Sequence, residues 1–396
     1  MGGLLHGHTS RSNRLPSPLR TAALTRLKPA ALLALVVLTW TGCSGEPESV
    51  IRVAHVEKAP SLHKRHPRPL NVYAATMPGH GVRASVAHVK PRVYVPEAGG
   101  NAVDVIDPHT FKLIRRFPVG REPQHITPAW NMRRLYVNNT QSNSLTVIDP
   151  HTGKKSGKIP VRDPYNLYFT PDGRKAIVVA ERYQKLDFRN PHTWKLIKSV
   201  HVPWYGVDHL DFSADGRYLL ASTEFSGVVV KIDTRKMKIT GKVRVGALPV
   251  DVKLAPDGRY FYVANQGTGG VTVVDPVRMK KVGFIDTGVG AHGLCISRDT
   301  RSLYVSNRVE GTISVIDLAN RKVKETWQVG GSPDMLQVSP DGRQLWTTNR
   351  FNSSVSVIST KTGHVLHRIA VGAEPHGLAF FPQPGRYSLG HNGVYR

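Results

Sequence analysis

Apolar and polar residues alternate with a period of two through most of this chain, in short runs separated by polar turns. "SLYVSNRVEGTISVID" at 302–317 is typical, with two apolar runs around a polar loop. "RLYVNNTQSNSLTVID" from Arg134, "YFYVANQGTGGVTVVD" from Tyr260 and "QLWTTNRFNSSVSVIS" from Gln344 repeat the pattern. Alternation built on Val, Ile, Tyr and Thr predicts strands with one buried face, and no later stretch shows helical periodicity long enough to matter. Aligning the hairpins places equivalent positions at Val93, Leu135, Ala176, Leu219, Phe261, Leu303 and Leu345. The period of about 42 residues is that of a four-stranded propeller blade.

Each copy reads as a strand such as "HGLCIS", a turn such as "PDGR", a strand such as "LYVSN", a polar loop, a strand such as "TISVID" and an outer strand such as "KVKETWQVG". Asp172-Gly173, Asp215-Gly216, Asp257-Gly258 and Asp341-Gly342 supply tight hairpin turns, because glycine accepts positive φ without a clash. One such sheet cannot bury both faces, whereas sheets stacked radially cover one another. The expected fold is therefore all-β: a seven-bladed β-propeller of four-stranded antiparallel blades. The first hairpin, "RVYVPEAGGNAVDVID", lacks an inner strand of the usual form before it, and "HGLAFFPQPGR" follows the seventh blade as a spare. Ring closure by this C-terminal strand would remove an exposed edge. Residues 71–90 are the rival source of that strand, and the tail "YSLGHNGVYR" is expected to run alongside.

The N-terminus has a different character. Arg11, Arg14, Arg20, Arg26 and Lys28, with no acidic residue, precede the apolar "AALLALVVL" and then "TWTGCSGEP". The apolar run is shorter than the roughly 20 residues of a membrane span and reads as a signal peptide. Gly42 before Cys43 resembles the lipobox of bacterial lipoproteins, which implies lipidation of Cys43, although Trp40 departs from the usual Leu. The alternative is cleavage nearby with Cys43 incidental. Both place the mature chain outside the cytoplasm, anchored to the cell membrane in the first case and secreted in the second. The expected organisation is a signal peptide over 1–43, a flexible basic linker over 44–70 and the propeller over 71–396.

The strings "LYVSN", "FYVAN" and "ISVID" resemble the YVTN-type propeller repeat. Over roughly residues 90–386 the chain is similar to the YncE-like family of extracytoplasmic seven-bladed propellers. The resemblance implies the fold. Propellers of this superfamily include binding lipoproteins, surface-layer proteins and the haem d1 domain of cytochrome cd1 nitrite reductase, so it does not choose a function.

In a propeller, the start of each inner strand and the loop between second and third strands meet around the axis, where binding residues concentrate. The strand starts give the candidate ligand-binding set Gln124, His125, Tyr165, Asn166, Asp208, His209, Asp251, His292, Asp334 and His376, and the matching loops give Glu97, Asn139, Glu181, Glu224, Gln266, Arg308 and Arg350. Three readings compete for this rim. It holds a transition metal or haem through imidazole and carboxylate, with His292, Asp334 and His376 as metal candidates. It binds a small ligand, peptide or glycan, or an envelope protein, by hydrogen bonds. Or it satisfies strand ends and holds water. No nucleophile accompanies a His-Asp pair, and G-x-S-x-G, P-loop and paired CxxC strings are absent, so no catalytic residue is named and the expectation favours a non-enzymatic, monomeric binding or scaffold module without an obligatory cofactor, the alternative being an enzyme or redox-cofactor carrier that uses the axial His and Asp residues. Cys295 in "GLCIS" reads as a small buried hydrophobe, and Asn139, Asn265, Asn307 and Asn349 as turn locks bonded to loop backbone.

With 54 Lys and Arg against 28 Asp and Glu, the formal charge is +26. The basic residues cluster on outer strands, as in "DTRKMKITGKVRV", without the aromatic interleaving of a nucleic-acid surface. An extracytoplasmic address and anionic envelope polymers or lipid headgroups suit that charge better than nucleic acid.

Overall fold

The computed structural model describes residues 71–391 and 394–396; the leader, Cys43 and the linker lie outside them. Seven four-stranded antiparallel sheets follow one another in chain order, with the inner strands of each blade in contact with the next blade. Blade 4 is representative, with Val207–Phe212 innermost, then Tyr218–Thr223, Val228–Asp233 and Lys238–Arg244. The inner strand is buried throughout while the outer one alternates between exposed and half-buried. This gradient explains the composition. Strands packed between two neighbouring blades are continuous Val, Leu, Ile and Phe, and the outermost strands carry the lysines and arginines that give the chain its charge.

The turns form as their residues dictate. Gly173, Gly216, Gly258 and Gly342 all adopt φ between +67° and +77°. The aspartate before each accepts a backbone N–H two residues on, at 3.0–3.1 Å. The asparagines work differently from expectation: Asn307 and Asn349 donate to hydroxyls of the next strand, Thr312 and Ser314 in one blade and Ser354 and Ser356 in the other. These two lock the hairpin through side chains of its second strand, whereas Asn139 also accepts from the loop backbone N–H of Gly120 at 3.1 Å, as expected.

Ring closure follows the spare-strand expectation. Ala379–Phe381 pairs antiparallel with Arg92–Glu97, completing the first blade from the far end of the chain. The rival segment forms no strand, only two three-residue 3-10 turns, Ala74–Thr76 and Ala84–Val86, and one isolated bridge from Val82 to Pro384, since "NVYAATMPGHGVRASVAHVK" lacks sustained alternation. Among the described residues no helix is long and apolar enough to cross a membrane. The tail departs from expectation. Instead of running alongside a blade it folds back on itself, Leu389 N–H to Val394 O at 2.8 Å, and docks across blades 2 to 4. Ser388 N–H donates to Trp130 O, Phe169 N–H donates to Leu389 O, and Arg396 donates to Asp211 Oδ1 at 2.8 Å and to the carbonyls of Phe212 and Ser213.

Candidate functional site

Every inner strand except that of blade 3 and the short closing strand starts with a bulge. In blade 2 the pairing advances from Pro123 to Ile126 while the partner strand advances only from Asn139 to Val137. Blades 4 to 7 repeat this at Val207/Leu210, Pro249/Val252, Ala291/Leu294 and Pro333/Leu336. A bulge frees consecutive residues from strict alternation and re-aims their side chains. Two storeys of side chains therefore enter the axis: Gln124, Asp208, His292, Asp334 and His376 first, then His125 and His209 one residue further along.

The upper storey is joined by conventional partners. His292 Nδ1 lies 2.8 Å from Asp334 Oδ1, Arg308 Nη1 lies 3.3 Å from Asp334 Oδ2, and His376 Nδ1 lies 2.6 Å from Gln124 Oε1. Burial would raise the Asp334 carboxyl, but His292, Arg308 and His376 together hold it well below the usual carboxylate range. Burial, then Arg308, keeps His292 low, and burial, then Arg350, keeps His376 lower still.

The lower storey is different. His125 and His209 are joined by His391, which the tail brings up the axis, with ring centroids 3.9 Å apart for His125–His391 and 4.6 Å for His209–His391. All three are fully buried. Both nitrogens of His125, both of His391 and Nε2 of His209 have no hydrogen-bond partner. Leaving a buried polar group unsatisfied costs about 1–3 kcal/mol each, so this is an unfavourable way to fill a core. His209 Nδ1 lies 2.6 Å from Asp208 Oδ1; burial opposes its protonation, yet the Asp208 carboxylate outweighs burial and lifts its pKa. Burial, reinforced by the neighbouring histidines, holds His125 and His391 well below the ordinary imidazole value, so both are neutral at pH 7. Two sets of three ligand atoms thus lie within 4.8 Å of one another, His292/Asp334/His376 and His125/His209/His391.

The remaining candidates sort differently. Tyr165 sets its ring edge-on to His125 at 5.4 Å. Asn166 donates to the Tyr168 hydroxyl and accepts from Leu167 N–H. Asp251 is committed to backbone: it accepts from Val252 N–H and from Leu294 N–H of the next blade, each at 2.9 Å, with Lys253 at 3.5 Å, so it staples two inner strands together instead of facing the axis. Two loop assignments fall one position short. Glu97 binds Arg116 at 2.6 Å and Asn139 bonds along its own hairpin, and the positions equivalent to Glu181, Glu224, Gln266, Arg308 and Arg350 are Ala98 and Thr140. Cys295 is free and half-buried at a cavity of about 30 Å³ with Tyr73, Arg298 and Tyr395, its thiol pushed up by burial. His391 escaped the sequence reading because it lies outside the repeat, so no neighbouring copy marks it.

The mouth above the upper storey is electrically divided. Glu181 and Glu224 stand on blades 3 and 4, above Asp208, while Arg308 and Arg350 stand across the ring on blades 6 and 7. Burial, then Asp208 and Glu224, pushes the Glu181 carboxyl up to about 8. Burial, then Asp208, pushes Glu224 to about 7.

A seven-bladed propeller with an imidazole-rich hub and a polarised mouth is the class that fold and site define. The model of the YNCE-like β-propeller family matches residues 71–384, and the chain belongs to that family. No curated protein matches it in sequence. Solved structures share the fold. A functionally unknown protein of Desulfotomaculum acetoxidans is 16% identical with a TM-score of 0.65, over 74% of this chain and 99% of that one. Dihydro-haem d1 dehydrogenase NirN, in complex with DHE, is 17% identical with a TM-score of 0.59, over 77% of each. Kuenenia stuttgartiensis hydrazine synthase is 18% identical with a TM-score of 0.57, over 64% of this chain and 88% of that one.

Proposed function

We propose that this protein is a non-enzymatic binding propeller that captures short peptides bearing a free ammonium and a free carboxylate at its axial mouth. The observation that carries the reading is the division of charge around the ring. Glu181 and Glu224 crowd above Asp208, and burial first, then the neighbouring carboxylates, raises both glutamates, a cost that an incoming ammonium would relieve. Arg308 and Arg350 offer guanidinium groups to a carboxylate on the opposite side. Tyr205, Phe225, Val309 and Phe351 stand exposed in the surrounding loops, an apolar collar suited to side chains of a ligand longer than one amino acid.

The test is calorimetry with a zwitterionic tripeptide carrying apolar side chains, against its N-acetylated and C-amidated forms. The reading expects each modification to weaken binding at least tenfold. Equal binding of all three, or preference for a neutral glycan, overturns it. Because the carboxyls must lose their protons to receive the ammonium, affinity should rise as pH climbs from 6 through 7 and fall again above about 8, where the peptide α-amino group itself loses its proton.

The haem of the NirN comparison is not carried over. The axial imidazoles pack against one another, His125 tilted on His376 at 4.5 Å and edge-on to His391 at 3.9 Å, which does not support a macrocycle between them. Envelope anchorage through Cys43 belongs to the same proposal, and Cys43→Ser should move the protein from the membrane fraction to the soluble one.

A further inference from the structure

We propose that His125, His209 and His391 form a three-imidazole site for one divalent first-row transition metal of the zinc class, with the C-terminal tail supplying the third ligand. The site goes beyond peptide capture, and its three ligands are separate from that mouth, with Asp208 alone common to both.

Three observations converge on it. The first is donor chemistry: imidazole suits zinc and its neighbours in the series, and three imidazoles leave a fourth position for water. The second is partner accounting. Five imidazole nitrogens are buried here without a hydrogen-bond partner, in a core whose other inner-strand polar groups are mostly paired. The upper set shares this property only at His376 Nε2, because His292 and Arg308 already hold Asp334 and Gln124 already holds His376 Nδ1. The third is the support around the ligands. Asp208 holds His209 Nδ1 at 2.6 Å, which leaves Nε2 as the nitrogen free to bind, the carboxylate–histidine arrangement usual behind metal ligands.

The tail is built to deliver His391. Gly390 has φ +135°, and a Cβ there would stand 2.5 Å from Leu167 O and 2.8 Å from Tyr168 Cα, so only glycine lets the chain approach blade 3 closely enough. Arg396 fixes the far side of the turn on Asp211. A metal bound at this point would tie the tail to blades 2 and 4 and act as a latch.

The experiment uses the purified full chain, stripped with chelator and titrated with Zn²⁺, with bound metal read by elemental analysis. About one zinc per chain is expected, and His391→Ala and His209→Ala should each weaken zinc binding at least tenfold. Zn²⁺ should also raise the melting temperature of the wild type but not of His391→Ala, and slow amide exchange at Leu389. Should the variants fail to fold, Cu²⁺-loaded wild type provides the readout: electron paramagnetic resonance showing three imidazole nitrogens supports the site, and fewer overturns it. Zinc lost in His292→Ala but kept in His391→Ala puts the ion in the upper set and overturns the proposal. So does a wild type that takes up no zinc.

Discussion

The two storeys of the hub are made of the same residue types and differ in how many of their polar atoms are matched, with His376 Nε2 the one imidazole nitrogen left open above and five left open below. Above, Asp334 gathers His292 and Arg308 into a charge network, and Gln124 holds His376. Below, His125, His209 and His391 press together with only Asp208 to serve them. Proximity of histidines therefore says little by itself. A set whose donors are matched explains its own presence, and a set whose donors are not matched calls for a further partner.

The largest expected effect comes from breaking the upper network. Asp334→Ala leaves His292 and Arg308 facing each other without their carboxylate and should cost about 3–5 kcal/mol in urea unfolding. A loss under about 1 kcal/mol would show that the network is incidental. Gly390→Ala comes next. Its φ and its contacts with Leu167 and Tyr168 oppose a side chain, and an expected loss of about 1–3 kcal/mol should be accompanied by release of the tail, visible as faster amide exchange at Leu389.

Glu181 gives a smaller effect with a definite pH signature. Its carboxyl moves from an ordinary 4.5 to about 8 on folding, so between these values the native chain binds the proton that the unfolded chain has lost. Stability contributed by this group therefore falls as pH rises from 4.5 towards 8. Glu181→Gln should remove that slope and exceed the wild type by about 1 kcal/mol at pH 9, after discounting for partial solvent screening, with no difference at pH 4. Smallest of all, His391→Leu in metal-free protein should change stability by less than about 1 kcal/mol or increase it, because an unmatched polar group gives way to an apolar one. A large loss there would erase the distinction between the storeys.

Much of the fold was legible because a repeat states each rule seven times. The Asp-Gly turns, the strand alternation and the spare strand at Ala379–Phe381 all carry their meaning locally. Most axial residues were legible for the same reason, since alignment alone brings His125, His209, His292 and His376 to strand starts. What alignment could not supply was which partner each would find. Asp251 occupies the repeat position of His209, yet it staples neighbouring strands while His209 enters the axis on the carboxylate of Asp208. Glu97 and Asn139 are the last residues of their strands, whereas Glu181, Glu224, Gln266, Arg308 and Arg350 are the first residues of their loops, one position further along the repeat. His391 sits in an unrepeated tail, and only the fold-back of residues 387–396 carries it to the axis.

The closing strand also sets an order on assembly. Six blades are contiguous in sequence and can form as the chain lengthens, but Arg92–Glu97 waits with a bare inner edge until Ala379–Phe381 has been made. A polypeptide still threaded through a ribosome or a membrane pore at its last few dozen residues is consequently an open arc, and the circle with everything at its centre comes into being only on release.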